Sequence, residues 1–336
     1  MSAKWYLGTG AQNDVVISTS IHLARNIKQF SFPASLSMQD KLKVNSVVKN
    51  ATEDIRDYSF NYYEMKTLSQ AEVVSLAERH LVSPEFASSR DGRALLLTDD
   101  EAVSVMLNEE DHIRLQVMYA GFALDEAYRT ADKIDSQLSE KLQFAFDERL
   151  GYLTQDPTAL GTGMKASVVL HLPALVTSSQ ITKLITTVSK LGLSLRGSYG
   201  EGAAAKGDLF RLSNTITLGI SEKAAIENLK SIALQIAAQE RVAREEIFKA
   251  PVTEDRIFRA YGVLKYARMI DTSEFMELIS LVRLGAVKGI INMDCAQIEA
   301  LMIHMQPATI SLSVDRPLDR IERDKLRARL VRQSLV

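Results

Sequence analysis

Three short stretches carry the residues that could do chemistry: NEEDHIRLQ at residues 108–116, LGTGMKASVVLHLP at 160–173 and RGSYGEG at 196–202. The first offers a run of carboxylates followed by an arginine, the second a glycine turn followed by a lysine, the third an arginine and a glutamate around glycines. Taken singly each has an ordinary reading, since an acidic NEED is usually a solvated turn and LGTG an ordinary loop. Taken together they hold what phosphoryl transfer needs: cations to surround a polyphosphate and acidic groups to hold a nucleophile in line. A pair of carboxylates can hold a cationic nucleophile by charge-assisted bonds and accept a proton as it attacks.

The rest of the chain must position these groups. With 336 residues, it suggests one large or two linked domains. Apolar residues at 46% and charged residues at 24% are ordinary for a soluble globular protein. A net charge of −2 gives no electrostatic reason to expect nucleic acid or an anionic membrane as partner. The sequence shows neither a leader at Met1 nor an uncharged apolar run of about eighteen residues, so a cytoplasmic protein is expected. Cys295 stands alone, which excludes an intrachain disulfide and a cysteine-held metal; no metal site is expected.

Residues 1–75 read as a mainly helical part, with Leu42, Val44, Val47, Val48 and Ile55 loosely at helical spacing. RALLL (93–97) and AVSVML (102–107) predict two strands across a tight turn, and RLQVMY, ASVVLHL, LSLRG and the pair LFRLSN–TITLG predict more. Between them, Ala127, Ala131, Ile134, Leu138, Leu142 and Ala145 keep a 3–4 spacing, as do Ile181, Leu184, Ile185, Val188 and Leu191. A long helix is expected over 222–248, ended by Pro251, and everything from Thr253 onward reads as helical. The expected fold is α+β: an antiparallel sheet with helices over one face, in an α/β catalytic part at 76–252, followed by a helical C-terminal domain at 253–336.

The three stretches, in this order and spacing, resemble the active-site segments of the guanidino phosphotransferases, the family of creatine and arginine kinases. The likeness extends over nearly the whole chain, through DVVISTSIHLARN (14–26), HLVSP (80–84), FDERLGYLT (146–154) and AAQERVAREEI (237–247). EDRIFRAYGVLKYARMI (254–270) and VRLGAVKGII (282–291) resemble the helical C-terminal region of the bacterial branch, the protein arginine kinases. The resemblance implies an ATP- and Mg²⁺-dependent transfer of the γ-phosphoryl group to arginine side chains of proteins. It assigns Glu110 and Glu201 as the carboxylates that orient and deprotonate the guanidinium. It places the nucleotide on Ser18, Thr19, Ser20, Ile21 and His22, on His80, on Arg114, on Lys165, Ala166, Ser167, Val168 and Val169, and on Arg196, Gly197, Ser198, Tyr199 and Gly200. RDKLRA (323–328) fits that branch's RDxxRA motif, implying a phosphoarginine pocket in which Arg323 and Arg327, four apart on one helical face, clamp a phosphate while Asp324 pairs with a guanidinium. Implied partners are substrate proteins with exposed arginine, an activator protein, a stress-gene repressor and a Clp-type unfoldase; the expected assembly is a homodimer.

The pattern also breaks. Family members carry two arginines in a segment S-[ST]-R-I-R, where this chain has Ser20 and His22; a third is replaced by Lys165; and the segment C-P-[ST]-N reads D-P-T-A, with Asp156 and Ala159. Lysine keeps the charge but loses the bidentate fork. Lys28, Arg90, Arg93 and Lys206 are the nearby cations that could substitute. Two readings stay open on this sequence: a phosphotransferase of weakened activity, or a non-catalytic pseudokinase that binds arginine or phosphoarginine and works as a regulator or adaptor.

Overall fold

A computed structural model describes residues 4–198, 205–314 and 316–335. The strands are β1 (Val16–Arg25), β2 (Phe60–Glu64), β3 (Ala94–Thr98), β4 (Val103–Leu107), β5 (Ile113–Ala120), a small pair β6 (Phe146–Asp147) and β7 (Gly151–Tyr152), β8 (Met164–His171), β9 (Leu193–Gly197) and β10 (Leu209–Asn214). Eight of them form one antiparallel sheet in the order β2-β3-β4-β5-β1-β8-β10-β9. The helices are α1 (Met38–Glu53), α2 (Gln70–Glu78), α3 (Pro84–Ser88), α4 (Leu124–Ser139), α5 (Pro173–Thr177), α6 (Ile181–Ser189), α7 (Glu222–Ile247), α8 (Pro251–Tyr266), α9 (Thr272–Lys288), α10 (Cys295–His304), α11 (Pro307–Ser311) and α12 (Arg320–Ser334). The fold is α+β, as expected.

Three apolar cores explain where open surface is left. The largest lies on one face of the sheet: Ile21, Leu23, Leu115, Val117, Ala166, Val168, Leu195 and Leu212 meet Val44 and Val48 of α1, Ile134 and Leu138 of α4, and Leu229 and Ile236 of α7. On the other face, Leu95, Leu97 and Met106 are covered by Val73 and Leu76 of α2 and by Phe86 of α3. Further along that face, Val169 and Leu209 are covered by the C-terminal helices through a core containing Phe275, Ile279, Ile298, Met302 and Val331. Between these two lids the floor made by β5, β1, β8, β10 and β9 is not roofed by either core.

The C-terminal helices are tied to the sheet by polar groups as well. Arg283 on α9, fully buried, donates to Glu299 (2.7 Å), to the carbonyl of Asn13 (2.6 Å) and to His171 Nδ1 (3.1 Å). Since His171 Nδ1 accepts, its Nε2 carries the proton and donates to Ser280 Oγ at 2.8 Å. Ser280 in turn donates to Asp208 at 2.8 Å. Burial, with Arg283 and Arg244 nearby, holds the His171 pKa well below the usual imidazole value, in keeping with this neutral tautomer.

Several expectations need correction. Residues 1–75 supply β1 and β2 as well as α1, and β1 is a central strand rather than part of a helical annex. Its polar residues fall on both faces (Thr19 turns inward and bonds the Gly121 carbonyl at 2.7 Å), so the period of two is blurred in the sequence. TITLG (215–219) is not a strand: Asn214 turns its amide back onto the carbonyls of Met164 and Ile216 and ends the ladder, leaving Ile216 and Leu218 exposed. α4 stops at Ser139, and Leu142 enters the core from beyond the helix. α7 runs Glu222–Ile247 and so stops before Pro251 as expected, but Pro251 also opens α8 from its first turn, where its missing N–H costs nothing.

Candidate active site

Pleating decides which residues reach the unroofed floor. While the alternate positions Ile21, Leu115, Ala166, Leu195 and Leu212 feed the core, His22, Arg114, Lys165, Arg196 and Arg211 line a trough on the opposite face. The trough has two adjoining hollows. One, about 520 Å³, also takes in Glu109, Glu110, Asp111 and Asp156; the other, about 460 Å³, takes in Glu78, His80, Ser83, Gln116 and Ser198. His22, Arg114, Lys165 and Arg211 belong to both, so a single cationic floor joins them.

The acidic end is built at the β4–β5 turn. Asn108 takes a left-handed conformation (φ 59°), and its amide donates to Lys41 O, Asn45 Oδ1 and Gly92 O, anchoring the turn. Glu109 points inward, accepting from Arg114 at 2.6 Å and from the Ser83 hydroxyl. Asp111 is buried too, accepting from the Asn26 amide and from Gln155 N (2.8 Å); burial raises its pKa. Glu110 alone of the three is exposed, at the edge of the first hollow. Partial burial raises its pKa above the usual glutamate value, with Glu109 adding to the effect and Arg114 opposing it. The ring of His112 is a brace: Nδ1 accepts from Ile27 N (3.0 Å) and Nε2 donates to Ser31 O (2.8 Å), which fixes a neutral tautomer.

Charge on the floor is unevenly distributed. Burial lowers the pKa of Lys165, and Arg114, Arg211 and Arg196 push it the same way. His22, partly buried, is pushed well below its usual value by desolvation and then by Arg114, Arg211 and Lys165, so it brings no positive charge at neutral pH. Its Nδ1 has no hydrogen-bond partner among the described residues. Asp156 is kept ionised by hydrogen bonds from the Thr158 hydroxyl (2.7 Å) and Thr158 N (2.9 Å).

Not every residue expected at the nucleotide reaches the trough. The side chains of Thr19, Ile21, Ala166 and Val168 turn to the opposite face, and Val169 is packed in the C-terminal core. Ser18 faces a small cavity shared with Trp5, Tyr6 and Val169. Ser20 and Ser167 lie on the trough face and bond each other at 2.8 Å. His80 lines the second hollow, and burial depresses its pKa to about 3, so it is neutral there. Gly197 and Ser198 line the trough, whereas Tyr199, Gly200 and Glu201 lie outside the described residues. None of Lys28, Arg90, Arg93 and Lys206 lines either hollow; Arg93 instead binds the carbonyls of Asn108, Glu85, Phe86 and Ser89. Arg211 was missed. The alternation of LFRLSN, with Phe210 and Leu212 on one side, was the signal that could have found it.

In the C-terminal RDKLRA segment, Arg327 is buried rather than presented to a ligand. It donates to Met305 O (2.8 Å), Ile270 O (2.8 Å) and Asp324 Oδ1 (2.7 Å). Arg327 and Asp324 thus pair with each other, with Arg320 4.0 Å from the other oxygen of Asp324. Arg323 makes one long contact, to Leu318 O at 3.4 Å.

Comparison with known proteins gives the same class. Residues 43–243 match the ATP:guanido phosphotransferase C-terminal catalytic domain, and residues 251–336 match the protein-arginine kinase McsB C-terminal domain. A protein-arginine kinase of Caldanaerobacter subterraneus subsp. tengcongensis is 43% identical over 327 residues, covering 96% of this chain and 97% of its own. That of Moorella thermoacetica is 42% identical over 341 residues, 99% of this chain and 97% of its own. Among solved structures, the duplicated taurocyamine kinase of Schistosoma mansoni with bound transition state analog components superposes with a TM-score of 0.62 at 25% identity, over 71% of this chain and 34% of that one. A lombricine kinase gives 0.60 at 24% identity, over 71% of each chain. The chain belongs to the ATP:guanido phosphotransferase family. Among the described residues, no helix is long and apolar enough to cross a membrane.

Proposed function

We propose that this chain transfers the γ-phosphoryl group of ATP to arginine side chains of proteins. The observation that carries the reading is a single one: the exposed Glu110, its pKa raised, opens onto the same hollow as Arg114, Lys165, Arg196 and Arg211. A carboxylate of raised pKa is a better base near neutrality, suited to accept the proton that a guanidinium nitrogen must shed as it bonds to phosphorus. Four cationic side chains on one floor match the negative charge of a triphosphate, so the residues present fit the nucleotide. Arg114 is held in place by Glu109, and Lys165 adds a point charge. ATP with Mg²⁺ would supply the phosphoryl group and part of the charge neutralisation. An arginine in a protein, rather than a free guanidino metabolite, is supported by the near full-length likeness to proteins named protein-arginine kinase and by the matching C-terminal region.

Incubation with Mg²⁺–ATP and an arginine-rich protein should give acid-labile phosphate on arginine. Failure to label, together with failure to bind nucleotide, would remove the enzyme reading. Failure to label with arginine or phosphoarginine still bound would leave the pseudokinase reading, which the neutral His22 on the floor favours.

A further inference from the structure

The floor of the trough has a row without charge. Across the sheet Ser20 sits opposite Ser167, Ser167 opposite Ser213, and Ser213 opposite Ser194. Their hydroxyls pair off, Ser20 with Ser167 at 2.8 Å and Ser194 with Ser213 at 3.1 Å. Four short side chains in a line leave space above them that longer ones would fill. Arg211 stands one pleat away, opposite Val169 and Arg196, and its Nη1 lies 3.5 Å from Ser167 Oγ. The guanidinium of β10 therefore leans over the serine row toward β1, and it lines both hollows. Beside it is His22, whose buried Nδ1 has no hydrogen-bond partner among the described residues.

We infer that Arg211 is a nucleotide-phosphate ligand of this chain, reaching from β10 across the serine row to supply a guanidinium fork that Ser20 and His22 on β1 do not offer. This assignment rests on the proposed phosphotransfer and adds one residue to it. Arg211 brings a planar fork that can grip two phosphate oxygens at once, which Lys165 cannot do. It joins Arg114 and Lys165, which line both hollows, while Glu110, which lines the first hollow alone, handles the acceptor. The neutral His22 can give one uncharged hydrogen bond to the same phosphates.

The test is Mg²⁺–ATP and ADP binding, with steady-state labelling of an arginine-rich protein, for the parent chain, Arg211→Gln and Arg211→Lys. Removing a charged hydrogen-bond donor should weaken nucleotide binding and raise the KM for ATP by roughly 10- to 100-fold. The KM for the acceptor protein should stay within about twofold, and Arg211→Lys should fall between. A compensating pair, Arg211→Gln with Ser20→Arg, should recover part of the lost nucleotide affinity, a result that a merely structural arginine would not give. Unchanged nucleotide affinity in a folded Arg211→Gln overturns the assignment, as does equal loss toward nucleotide and acceptor. A parent chain that binds no nucleotide removes the proposed function and this assignment with it, so the two failures can be told apart.

Discussion

Replacing Arg327 by alanine separates the two roles a buried arginine in the C-terminal helices could have. Its side chain is about as enclosed as a core leucine, at 1% exposure, and its three hydrogen bonds bind the start of α9, the end of α10 and its own helix together. Truncation would leave Asp324, itself only 13% exposed, with only the distant Arg320 at 4.0 Å, and two carbonyls without the donor they share. Breaking a buried ion pair from one side costs about 3–5 kcal/mol, and each orphaned carbonyl adds to this without simple additivity. Against a total stability of order 5–15 kcal/mol, that is a large share. Urea denaturation followed by circular dichroism at pH 7 should show the loss. Hydrogen exchange should place most of it in the five C-terminal helices, whose buried core meets the sheet through Val169 and Leu209. Arg323→Ala, which removes one 3.4 Å contact, should cost under about 1 kcal/mol. The reasoning is refuted if Arg327→Ala loses less than about 1 kcal/mol while phosphoarginine binding disappears, because the residue would then be a ligand and not a brace.

Three further expectations concern the trough and its supports. Glu110→Gln should lower the labelling rate by about 10²–10⁴. Because the Glu110 pKa is raised, the parent's kcat/KM should climb with pH through a value above the usual glutamate range, and that limb should be missing in the variant; labelling as fast as the parent would dismiss Glu110 as the base. For His80, the folded pKa of about 3 lies below the unfolded value near 6.5, so acid adds a proton to the unfolded chain alone. Its contribution is full above pH 6.5 and is lost by up to about 1.4 kcal/mol per pH unit on going down toward 3; urea midpoints at pH 7, 6 and 5 should fall, and a folded His80→Asn should flatten the slope. Finally, Ser280→Ala should cost about 1–3 kcal/mol by stranding the buried His171 N–H and Asp208 carboxylate; a stability change under about 0.5 kcal/mol would mean this tie is not a working contact.

What the sequence revealed depended on how local the determining contacts are. The acidic end of the trough was legible because turn and strand are contiguous: Glu110 and Arg114 lie within five residues, and the strand beginning at Ile113 fixes which way Arg114 faces. The helical C-terminal part was legible from its spacing, and the match at 251–336 falls on it. The burial of Arg327 was not, since its carbonyl partners stand 22 and 57 residues away and nothing in RDKLRA announces them. Arg211 escaped for a related reason. Its importance comes from pairing with β8 and β9, which a reading of one strand at a time does not assemble.

Strand geometry explains the mixed result at the nucleotide segments better than any failure of the resemblance. Resemblance marks contiguous runs, such as residues 18–22 and 165–169, but a strand shows a ligand only every second side chain. On β1 the run divides into Ser20 and His22 toward the trough and Thr19 and Ile21 away from it; on β8 it divides into Lys165 and Ser167 against Ala166 and Val168. The inward members hold register and core, so substitutions there should act on stability, while those on the trough face should act on the nucleotide. The same parity makes an exchange of cations between neighbouring strands feasible. The proposed role of Arg211 uses this parity: a charge absent from β1 is supplied from β10, across a row whose side chains are short.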